Sequence, residues 1–140
     1  MGLLGKEELL KRDELTIKKV EFSNGDFVYV REMTGRERDT FERSLLKEVK
    51  RKNGEVDYER NLEDFRAKLA ASTICDENGD LLLKFNEHPK LSQSMSASKL
   101  EKIVNIAQKI NSITEDDKEG LVKNSEGDQK GNSTSDSVAN

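Results

Sequence analysis

The sequence is short of the residues on which many site chemistries depend. It has a single cysteine, Cys75, so it cannot form an internal disulfide or a cysteine-based zinc cluster. It has a single histidine, His88, a single proline, Pro89, and no tryptophan. Five Phe and two Tyr are the whole aromatic complement, so any core must be mainly aliphatic. No window approaches 18 continuous apolar residues, which excludes a membrane-spanning helix. The opening stretch MGLLGKEELLKRDE lacks the apolar run of a signal peptide, and Lys6 stands where a myristoylation signal has Ser or Thr. Charge of one sign is lacking too: 24 Lys and Arg face 28 Asp and Glu, a formal charge of −4. That balance argues against a nucleic-acid binder, and the composition is that of a small cytoplasmic protein.

Charge itself is abundant, at 37% of 140 residues against 33% apolar. The length suits one domain with a tail. From Asn124 the composition shifts to Ser, Gly, Asn and Asp, with Val138 and Ala139 the only apolar residues. Such a segment cannot offset its chain entropy by burial, so 124–140 reads as a disordered acidic tail. Residues 15–123 read as a single α+β domain, and 1–14 as an N-terminal segment with a short helix over 6–13.

Hydrophobic periodicity gives the elements. Val20 and Phe22, then Val28 and Val30, alternate with polar residues on either side of Ser23-Asn24-Gly25-Asp26, which predicts a β-hairpin over 16–22 and 27–33. Thr34 and Glu37 fit a capping box opening a helix to about Lys50, with Phe41, Leu45, Leu46 and Val49 on its apolar face. Arg38–Glu42 and Asp39–Arg43 stand four apart on its outer side. Tyr58, Leu62, Phe65 and Leu69 predict a helix over 58–75. A turn follows at 76–80, then a short strand or extended edge over 81–85, then a loop over 86–93 around Pro89. Ser98 and Glu101 form a second capping box before a helix whose stripe (Leu100, Ile103, Val104, Ile106, Ala107, Ile110, Ile113) is wider than one small neighbour requires. Thr114 caps a last short helix to Lys123. The expected fold is therefore α+β: an N-terminal β-hairpin, a small helical bundle and a disordered C-terminal tail.

Four features could carry function. Cys75 and His88 could pair as thiol and base, but no third group or oxyanion motif accompanies them, and a buried small thiol near a helix end and a separate surface-loop histidine explain the two. Asp76-Glu77-Asn78-Gly79-Asp80 resembles a calcium loop only in part, since Gly79 is fourth rather than sixth from Asp76. The basic run at 47–52 is explained as a solvated helix end, where cations suit the dipole. The wide stripe could be core or a docking face for an amphipathic helix. No enzyme chemistry, metal site or cofactor site is expected.

One resemblance goes further. REMTGRERDTFE at 31–42, RAKLAASTICDENGDLLL at 66–83 and LSQSMSASKLEKIVNIAQKINSITEDDKEGLVKNS at 91–125 are similar, in order, to segments of the tail assembly chaperones of long-tailed bacteriophages and prophages. The series covers most of residues 16–125. The basic segment KRKNGEVD at 50–57 and the His88-Pro89 pair depart from the family pattern. The resemblance implies a non-enzymatic assembly factor that binds the tape measure protein and helps recruit tail-tube protein around it. It also implies action in the host bacterial cytoplasm, absence from the mature virion and, in many phages, a frameshifted longer product that contacts the tube protein. Neither a membrane nor nucleic acid is an expected partner, whereas self-association is compatible with the family. A tape measure protein is a long apolar-striped helix, so its chaperone needs an apolar groove. The expected lining is Ile103, Ile106, Ile110 and Ile113, with Phe41 and Leu45. The rival is a structural tail-completion or connector subunit of the virion.

Overall fold

A computed structural model describes residues 2–113. The expected tail over 124–140 and the expected helix from Thr114 to Lys123 lie outside the described residues. The fold is α+β.

An Asn-Gly turn closes each of three hairpins. The first joins β1 (Ile17–Glu21) to β2 (Phe27–Arg31) through Asn24-Gly25. The second joins β3 (Leu46–Lys50) to β4 (Val56–Arg60) through Asn53-Gly54. The third turns β5 (Ile74–Cys75) back on itself through Asn78-Gly79, with Cys75 bridging Leu81. Their hydrogen bonding is the same: Phe22 N–H to Asp26 O at 2.8 Å, Arg51 to Glu55 at 2.8 Å and Asp76 to Asp80 at 2.9 Å. The three glycines sit at φ +93°, +87° and +86°, the left-handed conformation that ends a three-residue hairpin loop.

β1, β2 and β5 form an antiparallel sheet in the order β1-β2-β5. Strand alternation gives it two faces. Val20, Phe22, Val30 and Ile74 turn inward onto two helices, α3 (Phe65–Thr73) and α5 (Ala97–Ile110). A second cluster lies on the far side of those helices. There α2 (Gly35–Arg43) and the residues after it bring Phe41 and Leu45 against Phe65, Leu69, Val104, Ala107 and Ile113. The Phe41 and Phe65 rings meet at 5.6 Å. α3 and α5 thus form a spine shared by both clusters. Ala67, Ala70 and Ala71, all buried, are small enough to let the elements approach closely on every side of α3.

Several boundaries differ from the sequence expectation. The helix opened by Thr34 ends at Arg43, not near Lys50. There the Ser44 hydroxyl donates to the Phe41 carbonyl, and the next residues enter β3. The helix expected over 58–75 is a strand to Arg60 and a helix only from Phe65. The loop around Pro89 is a single 3₁₀ turn (Phe85–Glu87) followed by α4 (His88–Ser94). Proline is tolerated in that first turn because its missing N–H would have had no helical partner. Of the short strand or extended edge expected over 81–85, only Leu81 pairs with a strand, through one bridge to Cys75, and no strand forms. The cap of α5 is Ser96, which accepts from the Lys99 amide at 3.2 Å, not Ser98. The N-terminal helix, α1, spans Lys6–Leu10.

Candidate binding surface

The six residues expected to line a groove separate into two groups. Phe41, Leu45, Ile103 and Ile113 are core, between 0% and 6% exposed. Ile106 and Ile110 are half-buried, at the margin of the sheet-facing cluster, with Val28, Leu83, Leu91 and Met95. The cause is the position of α5. One side of its stripe packs on the sheet through Leu100 and Ile103, and another packs towards α2 through Val104 and Ala107. Only the edge carrying Ile106 and Ile110 is left over. The wide stripe is thus a helix with two neighbours, and the expected six-residue groove is not open. The apolar surface available near α5 is the margin of six half-buried side chains around the first cluster.

A polar junction ties the end of α5 to β2 and the start of α2. Thr34 caps α2 as expected: its hydroxyl accepts from the Glu37 amide at 3.3 Å, and the Glu37 carboxylate accepts from the Thr34 amide at 2.9 Å. The same carboxylate receives both terminal nitrogens of buried Arg31, at 2.8 and 2.9 Å. Burial acts to raise the Glu37 carboxyl, but the Arg31 hydrogen bonds, the Thr34 amide and the guanidinium charge outweigh it and hold it below the usual value. The end of α5 closes onto this group through Asn111. Its Oδ1 accepts from the Met33 amide at 2.7 Å, and its Nδ2 donates to the carbonyls of Ala107 at 2.9 Å and Arg31 at 3.4 Å. Arg38, paired with Glu42 as the four-residue spacing predicts, also donates to the Asn111 carbonyl at 2.9 Å. Sequence reasoning found the cap and the Arg38–Glu42 pair. It did not find Asn111, because a lone Asn at a helix end carries no signal of a partner about eighty residues away.

The chemical candidates are held by contacts within the fold. Cys75 is buried in β5, and burial pushes its thiol up, away from the reactive thiolate. His88 is engaged elsewhere: its Nδ1 lies 3.1 Å from the Asp64 carboxylate, which also accepts from the Ser92 hydroxyl at 2.8 Å. Ser92 hydrogen-bonds Asp64 rather than the imidazole, so these three do not form a relay from hydroxyl to base. They fasten α4 to the start of α3, beside a cleft of about 440 Å³ lined by Asn61, Lys68 and Gln93 among others. Asp64 itself sits at φ +57°, a strained conformation for a residue with a side chain, and these two bonds help hold it. The carboxylate of Asp76 accepts from the Asn78 and Asp80 amides at 2.8 and 3.0 Å, so it organises a hairpin turn. Among the described residues no group of three or more His, Cys, Asp or Glu could hold a metal ion. No helix among them is long and apolar enough to cross a membrane.

The basic run at 47–52 lies on the β3–β4 ribbon rather than at a helix end, and Arg51 pairs with Asp57. The signal for this ribbon was the second Asn-Gly pair. The chain matches no protein-family model, no curated protein and no solved structure.

Proposed function

We propose that this chain is a non-enzymatic tail assembly chaperone of a long-tailed bacteriophage or prophage. It binds the tape measure protein and keeps it soluble until tail-tube protein polymerises around it. It acts in the host bacterial cytoplasm and leaves before the virion matures. The observation that carries this reading is the ordered series of resembling segments, 31–42, 66–83 and 91–125. Their arrangement in the fold supports it. Arg31, Met33 and Arg38 of the first segment bond Asn111 of the third, and Leu69 of the second packs between them against Phe41 and Val104. The described residues of the three segments thus lie in one packed unit.

The surface suits the task. Val28, Leu83, Leu91, Met95, Ile106 and Ile110 are half-buried apolar side chains around the sheet-facing cluster. An apolar stripe on a partner helix would complete it, each Å² of apolar surface newly covered contributing about 25 cal/mol. The contact holds by area alone and requires no reacting group.

The test is co-expression with a fragment of the tape measure protein from the same phage. The wild-type chain co-purifies with the fragment in the soluble fraction. Ile106→Asp and Ile110→Asp, each checked for native circular dichroism, release it. Folded variants that retain the fragment as well as wild type does would remove the proposed margin from the account. Mass spectrometry of mature particles separates this reading from a structural tail-completion or connector subunit, which would remain in them.

A further inference from the structure

One buried donor in this chain has no acceptor. Arg31 is 3% exposed, and its Nε finds no hydrogen-bond partner among the described residues. The rest of the guanidinium shows which side is open. The Glu37 carboxylate receives Nη1 and Nη2 end-on, at 2.8 and 2.9 Å, and the Glu32 carbonyl receives Nη1 at 2.7 Å. A guanidinium holds five N–H groups in one plane. Nε–H and the second hydrogen of Nη2 therefore lie side by side along its free edge. Buried donors are costly to leave unpaired, so this edge calls for an acceptor.

Arg31 is also part of the wall of a cavity of about 390 Å³. Arg31 and Ile17 are register partners, so both stand on the sheet face turned away from α3 and α5. The segment 12–15 bounds one side of the cavity, anchored where the Thr16 amide donates to the Glu32 carboxylate at 2.6 Å. The Asn78-Gly79 turn bounds another, so near that a Cβ on Gly79 would stand 3.3 Å from Ile17 Cδ1.

Charge selects what enters. Four charged side chains line the cavity: Arg12, Asp13, Glu14 and Arg31. Arg31 is neutralised by Glu37, and the other three have no ion-pair partner among the described residues, leaving one net negative charge. Beyond the lining, the flanking residues carry Glu32, Asp76, Glu77 and Asp80 against Lys11, Lys18 and Lys19. Lys18 is on the other face of the sheet, and Lys19 stands over the Phe27 ring. A carboxylate or phosphate would meet this negative rim. A neutral carbonyl suits the free edge of Arg31, and a cation suits Asp13 and Glu14. Half-buried Leu15 and Ile17 offer a surface to an aliphatic stem.

We infer that this cavity binds a lysyl or arginyl residue of a polypeptide. Its main-chain carbonyl accepts from the Arg31 edge, and its side chain crosses Leu15 and Ile17 to reach Asp13 and Glu14. The inference is independent of the tape measure reading. Two sources supply that chemistry: another protein, or Lys118, Lys123 and Lys130 of this chain.

NMR titration of the full chain with Nα-acetyl-lysine N-methylamide tests it. Saturable shifts are expected at Arg31 Nε–H and at the amides of Leu15, Ile17 and Gly79, with a dissociation constant of roughly 1–10 mM. The lysine probe binds at least about threefold tighter than its norleucine counterpart, the scale of partly exposed charge pairs, and the glutamate counterpart does not bind. Asp13→Asn combined with Glu14→Gln, at two exposed positions, removes that preference and leaves the fold intact. If the chain's own lysines fill the cavity, the full chain stays silent until Lys118, Lys123 and Lys130 are changed to Gln together, and then responds. Either response supports the inference and assigns the source. A probe silent in both chains overturns it, the cavity then holding water only. Equal binding of the lysine and norleucine probes, or a preference for glutamate, overturns it as well.

Discussion

Asn111 is the residue whose removal should be felt furthest from its own helix. It is 9% exposed and makes three side-chain hydrogen bonds, to the Met33 amide, the Arg31 carbonyl and the Ala107 carbonyl. Asn111→Ala deletes all three and leaves the Met33 N–H without its acceptor. A typical bond contributes about 0.5–1.5 kcal/mol net, and a buried donor left unpaired costs about 1–3 kcal/mol. The 3.4 Å bond is weak, so the expected destabilisation is about 2–3 kcal/mol. With a urea slope of about 1–3 kcal/mol/M, the midpoint falls by roughly 0.7–3 M. Urea unfolding followed by circular dichroism reads this directly. Asn105→Ala, on the exposed side of the same helix, is the control and shifts stability by less than about 0.5 kcal/mol. Equal midpoints for the two variants would refute the claim that Asn111 joins the end of α5 to the Arg31–Glu37 junction.

Two further outcomes follow from the structure. Glu37 titrates lower in the folded chain than in the unfolded one, so its contribution is present above the ordinary carboxylate value and is lost as pH falls through the folded one. Glu37→Gln therefore destabilises by about 1–3 kcal/mol at pH 7, and the gap from wild type narrows towards pH 3; an equal gap at both pH values would contradict the assignment. Gly54→Ala places a side chain at φ +87° and costs about 1 kcal/mol. Hydrogen exchange should then quicken across β3 and β4 while β1, β2 and β5 keep their protection; loss of protection throughout would show that the ribbon and the body unfold together.

The first hairpin, the α2 cap and the turn at 76–80 were legible because each rests on local chemistry. Asn24-Gly25 lies between alternating strands, Thr34 and Glu37 are three residues apart, and Asn78-Gly79 lies in a polar run. Asn53-Gly54 carries the same signal, yet the helical spacing of Phe41, Leu45, Leu46 and Val49 competed with it. Only Phe41 and Leu45 of those four are buried. The spacing of Tyr58, Leu62, Phe65 and Leu69 misled in the same way, since Tyr58 belongs to a strand and is exposed. Short apolar runs fit either period, and in both cases the turn residues were the better guide. Pro89 read as a loop because a proline that opens a helix and one that interrupts a helix look alike without the helix start. The breadth of the α5 stripe was read correctly as too much for one neighbour. Which residues face inward was not readable, because it depends on α2 and the sheet meeting opposite sides of α5, and on tertiary contacts such as Asn111 to Met33.

The central claim is that this molecule protects an apolar-striped helical protein by contact. The direct measurement is light scattering from a tape measure fragment of the same phage, diluted out of denaturant with and without an equimolar amount of the full chain. The account predicts that scattering stays near the buffer baseline in its presence and climbs in its absence. Scattering that rises equally in both would contradict it.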